Sequence, residues 1–133
     1  MTTGKVFFVG AGPGDPKLIT VRGQELLKRA DVIVHDRLAS PKLLRDLKPD
    51  VKLIYCGKSV NQHTMVQDEI NSVLIKEAKE GKQVVRLKGG DPCIFGRVGE
   101  EAEVCVDHGI PFEIIPGITS GIAAPAYAGI PLT

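Results

Sequence analysis

The sequence contains 133 residues, of which 43% are hydrophobic and 25% are charged, and its formal net charge is +1. This length suits one domain with a hydrophobic core, and the charge provides no strong field that would attract nucleic acid or a membrane surface. No apolar run is long enough to span a membrane, and the N-terminal stretch MTTGKVFFVGAG lacks the regions of a secretory signal.

The three cysteines, Cys56, Cys93 and Cys105, are odd in number and show no C-x-x-C spacing. This pattern argues against a disulfide framework or a metal site, and it fits a reducing cytoplasm. We interpret all three as small core or near-core residues, because no partner in the sequence marks one as a nucleophile.

Strand-like and helix-like segments alternate along the chain. Strands are predicted at 5–10, 31–36, 51–56, 83–88 and 112–116, and helices at 20–30, 41–47, 64–80, 98–108 and 118–129. This alternation predicts an α/β fold with a five-stranded, mainly parallel sheet flanked by helices. Because the strands read as continuous apolar runs, we expect both faces of the sheet to be covered.

Capping residues mark several helix boundaries. Thr20 is a candidate N-cap for the first helix, and Thr64 with Gln67 forms a capping box for the longest one. Gly81 is the expected stop of that helix. Pro125 must kink the last helix or lie in its first turn.

The segments that follow the strands form the candidate site, because ligands of parallel sheets bind beyond the carboxyl ends of the strands. Every such segment carries a glycine, a charge or a hydroxyl. The segments are 10–15, 36–37, 57–58, 88–92 and 116–120.

The first of these segments, GAGPGD, departs from a dinucleotide-binding turn. The third glycine of G-x-G-x-x-G is replaced by Asp15, and Pro13 has no N–H to offer a phosphate. A phosphate site, and with it a nicotinamide oxidoreductase, is therefore disfavoured. Two interpretations stay open: a tight backbone turn, which the spacing slightly favours, or a rigid wall for an uncharged part of a ligand.

The charged residues at the other strand ends also have two interpretations each. Asp91, in KGGDP, is either an acceptor for ribose hydroxyls or an ammonium group, or a cap of local backbone amides. Asp36 is either a solvated or ion-paired turn residue, or a ribose-binding or acid–base group. Lys58 is equally open.

Five motifs in register resemble the tetrapyrrole methylases and cover nearly the whole chain. They are VGAGPGDPKLIT-x-RG, HDRL, GKS-x4-HTMVQDEIN, VVRLKGGDPCIFGR-x-GEE, and GIPFEIIPGITS through AYAGIPLT. Within the family, they look closest to the members that C-methylate uroporphyrinogen III.

The resemblance implies two α/β domains with S-adenosylmethionine bound between them, in a cytoplasmic homodimer that acts on a small tetrapyrrole and releases S-adenosylhomocysteine. Residues 1–133 match the first domain, and the second would follow. No metal, nucleic acid or membrane is implied. Carried over by position, the cofactor contacts are Pro13, Gly89, Gly90, Asp91, Ile94, Phe95, Thr119 and Ser120. The family's proton acceptor falls on Asp36 and its proton donor on Lys58.

A carboxylate such as Asp36 suits general-base work on a pyrrole ring, and Lys58 suits proton donation or a contact to a substrate carboxylate. From their placement, Arg37, Lys88 and Arg97 are candidates to screen the charge of the substrate.

The expected reaction is the methylation of uroporphyrinogen III to precorrin-2, on the way to sirohaem or cobalamin. The alternatives are a sibling precorrin methyltransferase of the corrin pathway and an inactive isolated domain of such an enzyme. The chain departs from the family pattern at His35, Ser59, Cys93 and Val98. None of these removes a proposed catalytic group, although Ser59 bears on one contact to a substrate carboxylate.

Overall fold

A five-stranded sheet forms the centre of the protein, seen here in a computed structural model that describes residues 2–37, 39–57 and 65–133. The predicted alternation of strands and helices is confirmed. In chain order the elements are β1 (Lys5–Gly10), α1 (Val21–Arg29), β2 (Val32–His35), β3 (Lys52–Tyr55), α2 (Gln67–Lys79), β4 (Gln83–Lys88), α3 (Val98–Asp107), β5 (Phe112–Ile115) and α4 (Ser120–Tyr127).

The strand order is β3-β2-β4-β1-β5, and every pairing is parallel. The sheet is thus wholly rather than mainly parallel. After β1 the chain forms β2 and β3 on one side of it and leaves a gap beside β1. The later strand β4 fills this gap between β1 and β2, and β5 pairs with the other side of β1. The change of direction lies between β1 and β4, where ligands of such sheets bind.

Alternate side chains of β1 point into two separate cores. Val6 and Phe8 are fully buried in one cluster, which packs against α2 and α3. Phe7 and Val9 belong to the second cluster, which packs against α1. The period-two alternation of a strand therefore explains how one apolar run fills both faces of the sheet.

Strand β3 does not follow the expectation that every strand is covered on both faces. Leu53 is 47% exposed and Tyr55 is 39% exposed. The physical reason is its place at one edge of the sheet, beside β2 alone.

Thr20 caps α1 as predicted, since its hydroxyl accepts a hydrogen bond from Gly23 N at 3.0 Å. The capping box of α2 is wrong in its placement: the helix begins at Gln67 with Val66 as the N-cap, and Thr64 lies outside the described residues. Gln67 is therefore the first helical residue rather than the third. Its side-chain amide donates a hydrogen bond to Asn71 Oδ1 at 2.9 Å, in the next turn of the helix, instead of bonding to the N-cap.

The predicted second helix is only a short 3₁₀ turn, Pro41–Leu44. Asp46 adopts a φ of +56°, which no helix can continue through. Gly81, at φ +86°, follows the C-cap of α2 and confirms the predicted stop. Pro125 lies inside α4, beyond its first turn.

The cysteines differ in their surroundings. Cys56 and Cys105 are buried, as expected, and burial raises the pKa of the Cys105 thiol to about 11. Cys93 is exposed, so the expectation of a core or near-core position is wrong for this residue. It follows Pro92 in the segment after β4, where no helix or strand covers it.

Candidate functional site

A cleft of ≈ 490 Å³ opens where β1, β2, β4 and β5 end, within the size range of small-molecule sites. The eight predicted cofactor contacts and Asp36 all line this cleft, as do Lys88 and Arg97. Arg37, the other candidate for charge screening, is not among the lining residues, and Lys58 lies outside the described residues. The lining residues are Gly12, Pro13, Asp36, Gln67, Arg86, Lys88, Gly89, Gly90, Asp91, Ile94, Phe95, Gly96, Arg97, Thr119 and Ser120.

The loop after β1 is tied to the loop after β4 by backbone hydrogen bonds. Gly12 N donates to Gly90 O at 3.2 Å, and Gly90 N donates to Gly12 O at 2.8 Å. Both glycines have a positive φ, +82° and +61°, which favours glycine at these positions. GAGPGD is therefore a tight backbone turn, as one of its two interpretations predicts, and Pro13 forms part of the cleft wall beside it.

The ends of β1, β4 and β5 touch backbone to backbone. A Cβ atom on Gly117 would lie 2.2 Å from Gly90 O, and one on Gly10 would lie 2.7 Å from the Cα of Gly117. No side chain fits in either place, so the close approach of the three loops depends on glycine.

Asp91 fastens two of these loops together. Its Oδ1 accepts a hydrogen bond from Cys93 N at 2.8 Å, and its Oδ2 accepts one from Gly117 N at 3.0 Å. The predicted capping of a local amide is confirmed, and the second bond adds a tie to the segment after β5. The residue that replaces the third glycine, Asp15, has a similar local role: its Oδ1 accepts from Lys17 N at 2.9 Å and caps a 3₁₀ turn.

The hydroxyl of Thr119 is placed differently from that of Thr20. Thr119 is the N-cap of α4, yet its side chain makes no capping hydrogen bond. It lines the cleft with Ser120. An N-cap hydroxyl that does not serve its own helix is available to a ligand in the cleft.

A buried ion cluster lies at the floor of the cleft, where Arg86 and Lys88 are lining residues, and most of it was not predicted from the sequence. Arg86 Nε donates to Glu101 Oε2 at 3.0 Å, and the Lys88 ammonium contacts Glu101 Oε1. The side chains of Arg86, Lys88 and Glu101 are only 6%, 7% and 0% exposed. The available signal was the spacing of Arg86 and Lys88, which stand two positions apart in QVVRLK and so fall on one face of the strand.

Burial lowers the pKa of Lys88, and the neighbouring Arg86 lowers it further. The carboxylates of Glu101 and Asp36 oppose this shift. Asp36, half-buried directly after β2, is therefore close enough to Lys88 to interact with it electrostatically across the cleft. Arg97, another candidate for charge screening, pairs instead with Glu100 through an Nη2–Oε2 contact of 2.9 Å.

Within 2–37, 39–57 and 65–133, no group of three or more His, Cys, Asp or Glu side chains is arranged to hold a metal ion. The helices of this part of the chain are all too short or too polar to cross a bilayer.

The family model and the known proteins that the chain matches belong to one family. The family model of the Tetrapyrrole (Corrin/Porphyrin) Methylases matches residues 5–133. The chain is 62% identical over 133 residues to a uroporphyrinogen-III C-methyltransferase of Bacillus subtilis strain 168, covering 100% of this chain and 28% of the relative. It is also 62% identical over 130 residues to the uroporphyrinogen-III C-methyltransferase of Priestia megaterium, covering 98% of this chain and 55% of that protein.

A solved structure shows the same fold. The uroporphyrin-III C-methyltransferase of Thermus thermophilus, solved in complex with S-adenosylhomocysteine, is 45% identical, with a TM-score of 0.81 over 98% of this chain and 53% of that chain. The chain thus spans about half, or less, of the length of the proteins it matches. The family match over residues 5–133 and these identities show that the chain belongs to the tetrapyrrole (corrin/porphyrin) methylases.

Proposed function

We propose that this protein uses S-adenosylmethionine to C-methylate uroporphyrinogen III, forming precorrin-2 for sirohaem or cobalamin biosynthesis. The observation that carries the proposal is the cleft itself. All eight residues that the family resemblance assigns to the cofactor line it, together with the proposed proton acceptor Asp36. The curated relatives that are 62% identical are both named for this reaction.

The cleft residues suit S-adenosylmethionine. Gly89 and Gly90 let a ligand approach the backbone closely, Ile94 and Phe95 offer apolar surface, and Thr119 offers an uncommitted hydroxyl. The cofactor carries no phosphate, which agrees with a first loop that contains Pro13 and no anion cradle. When bound, S-adenosylmethionine supplies an electrophilic methyl group on a sulfonium.

Asp36 is the group proposed to take a proton from the pyrrole system once the carbon has been methylated. The support for this role is that Asp36 is a half-buried carboxylate at a strand end, in the same cleft as the proposed cofactor residues. Lys58 is proposed as the proton donor from the family resemblance alone. The main contribution of the remaining lining residues would be to orient the substrate carbon and to exclude water.

We further propose that the chain forms the first of two domains and that the complete enzyme is a cytoplasmic homodimer. The coverage of about half of the relatives' length supports the first point. The free thiols of Cys56, Cys93 and Cys105 agree with a reducing compartment. Light scattering of the full-length protein measures its mass in solution. The mass of a dimer is expected, and the mass of a monomer would contradict the proposed homodimer.

Mass spectrometry tests the reaction most simply. The full-length protein is incubated with S-adenosylmethionine that carries a labelled methyl group, and with uroporphyrinogen III or later precorrins in parallel. The proposal predicts two labelled methyl groups on uroporphyrinogen III. Methylation of a later precorrin alone would assign the protein to the sibling reaction, and no transfer to any of them would contradict the proposed function.

A further inference from the structure

The segment between Asp91 and Val98 has an unusual backbone. Phe95 and Arg97 both adopt a φ of +55°, a left-handed conformation that is unfavourable for a residue with a side chain. Between them, Gly96 packs so tightly that a Cβ atom there would lie 2.3 Å from Pro92 O. Such a backbone persists only where the surrounding structure holds it.

Side-chain packing does not supply that support. Phe95 is fully exposed and Ile94 is 48% exposed, so neither anchors the segment in a core. The bond from Ile94 N to Asp91 O, 3.1 Å long, closes only the first turn. The Arg97 side chain pairs with the exposed Glu100 three residues later, which is a weak surface contact.

Lys88, the last residue of β4, reaches this segment with its side chain. Its buried ammonium donates a hydrogen bond to Gly96 O, the carbonyl that lies between the two strained residues. The same ammonium contacts Glu101, whose other carboxylate oxygen accepts from Arg86 Nε at 3.0 Å. Arg86 is fixed in turn, because its Nη1 donates to Leu87 O at 3.2 Å.

We propose that Lys88 is a positioning residue, whose ammonium, steadied by Glu101, holds the carbonyl of Gly96 and so fixes the backbone that presents Ile94 and Phe95 to the cleft. This inference rests on the proposed function, in which that segment binds the cofactor. A segment fixed before the ligand arrives loses less conformational entropy on binding, and the benefit appears as affinity. In this role Lys88 acts on the cofactor through the loop.

The test compares Lys88→Met, which removes the ammonium and keeps the chain length, with the unaltered full-length protein. Hydrogen exchange is measured first, without ligand. We expect the amides of residues 93–97 to exchange at least about tenfold faster in Lys88→Met, because the carbonyl of Gly96 is released. Exchange in this segment equal to that of the unaltered protein would overturn the inference, whatever the cofactor does.

Binding and kinetics are measured next. The dissociation constant for S-adenosylhomocysteine is expected to rise about tenfold in Lys88→Met, whereas kcat at saturating cofactor changes less than about threefold. Lys88→Arg, which keeps the charge and the donors, is expected to recover most of the affinity. An equal loss in Lys88→Arg, or a loss confined to kcat, would contradict a positioning role.

Glu77→Gln provides a matched control. Glu77 is a carboxylate only 2% exposed that pairs with two lysines, Lys52 and Lys82, at the opposite end of the sheet. Its substitution is expected to lower stability without changing exchange in 93–97 or the affinity for S-adenosylhomocysteine. If Lys88→Met does not fold, Lys88→Gln is used, with the same expected direction. Failure of the unaltered protein to bind S-adenosylhomocysteine would contradict the proposed function, and the exchange comparison would still decide the role of Lys88.

Discussion

The amide of Gly117 donates to Asp91 Oδ2 at 3.0 Å, and this one bond joins the segment after β5 to the segment after β4. The other oxygen of the carboxylate accepts from Cys93 N at 2.8 Å. Asp91 therefore organises the cleft even without a ligand. Any contact that it makes to a cofactor must use the remaining lone pairs of oxygens already engaged with the backbone.

We expect Asp91→Ala to lower the free energy of unfolding by about 1.5–3 kcal/mol, because two backbone amides lose a charged acceptor. The affinity for S-adenosylhomocysteine should fall in parallel, since the two loops are no longer fixed. Urea unfolding and calorimetry measure the two effects. Asp15→Ala is the control, because it removes one exposed capping bond and should cost about 1 kcal/mol or less. A smaller loss for Asp91→Ala than for Asp15→Ala would contradict this role.

Substituting Gly117 tests the close approach of the strand ends. A methyl group there would meet Gly90 O at 2.2 Å, so Gly117→Ala should displace the loops and cost about 1–3 kcal/mol of stability. Gly99 is the matched control: it lies in α3 with nothing within 4 Å of an added Cβ. Gly99→Ala should be neutral or stabilising by up to about 1 kcal/mol, as expected for alanine in a helix. Equal unfolding midpoints for the two variants would contradict the close approach of the Gly117 backbone to Gly90 O.

Asp36→Asn tests the proposed proton acceptor. The amide retains the shape of the side chain but accepts no proton, so turnover should fall by about 10²–10⁴-fold in the full-length protein. The affinity for S-adenosylhomocysteine should stay within about threefold of the unaltered value. Asp50→Asn, at an exposed carboxylate away from the cleft, should leave both unchanged. Full turnover by Asp36→Asn would remove this residue from the base role.

The buried carboxylate of Glu77 makes the stability of the fold depend on pH. Burial favours its neutral form, but the hydrogen bonds from Lys52 and Lys82 outweigh burial and hold the pKa of Glu77 below its ordinary value. The unfolded chain therefore binds this proton more readily than the folded one. The stabilisation is complete above the ordinary pKa of about 4.5 and is lost as pH falls through the lowered folded value.

Urea unfolding between about pH 3 and pH 7 measures this effect. The free energy of unfolding should decline below about pH 4.5 in the unaltered protein, and the decline should be shallower in Glu77→Gln. Some decline should persist, because the pKa values of Asp31 and Glu113 are lowered as well. If the free energy of unfolding declined as steeply with falling pH in Glu77→Gln as in the unaltered protein, the ion pairs of Glu77 would not be the cause of the loss of stability in acid.

Local patterns in the sequence were sufficient to predict elements whose causes are local. The hydroxyl of Thr20 caps the helix that follows it, and Gly81 ends the helix that precedes it. The exposure of Leu53 was not predictable in this way, because it follows from the position of β3 at the edge of the sheet. Strand order is set by tertiary packing rather than by the residues of the strand.

The cleft likewise has features that the sequence predicts and features that depend on tertiary packing. Parallel strands place their carboxyl ends at one edge, so the sequence alone predicted that Asp36 and Asp91 would share a site. The pairing of Arg86 with Glu101 was not predictable, since these residues are 15 positions apart on a strand and a helix. The cofactor roles of the lining residues came from the family resemblance, because spacing gave two interpretations for the first loop, Asp36 and Asp91, and none for the other residues.

The structure of the full-length protein with S-adenosylhomocysteine, determined by crystallography, tests the central claim most directly. We expect the ligand to lie in the cleft at the carboxyl edge of the sheet, in contact with Pro13, residues 89–91 and Thr119. Density for the ligand at any other place on this chain, with these residues untouched, would contradict it.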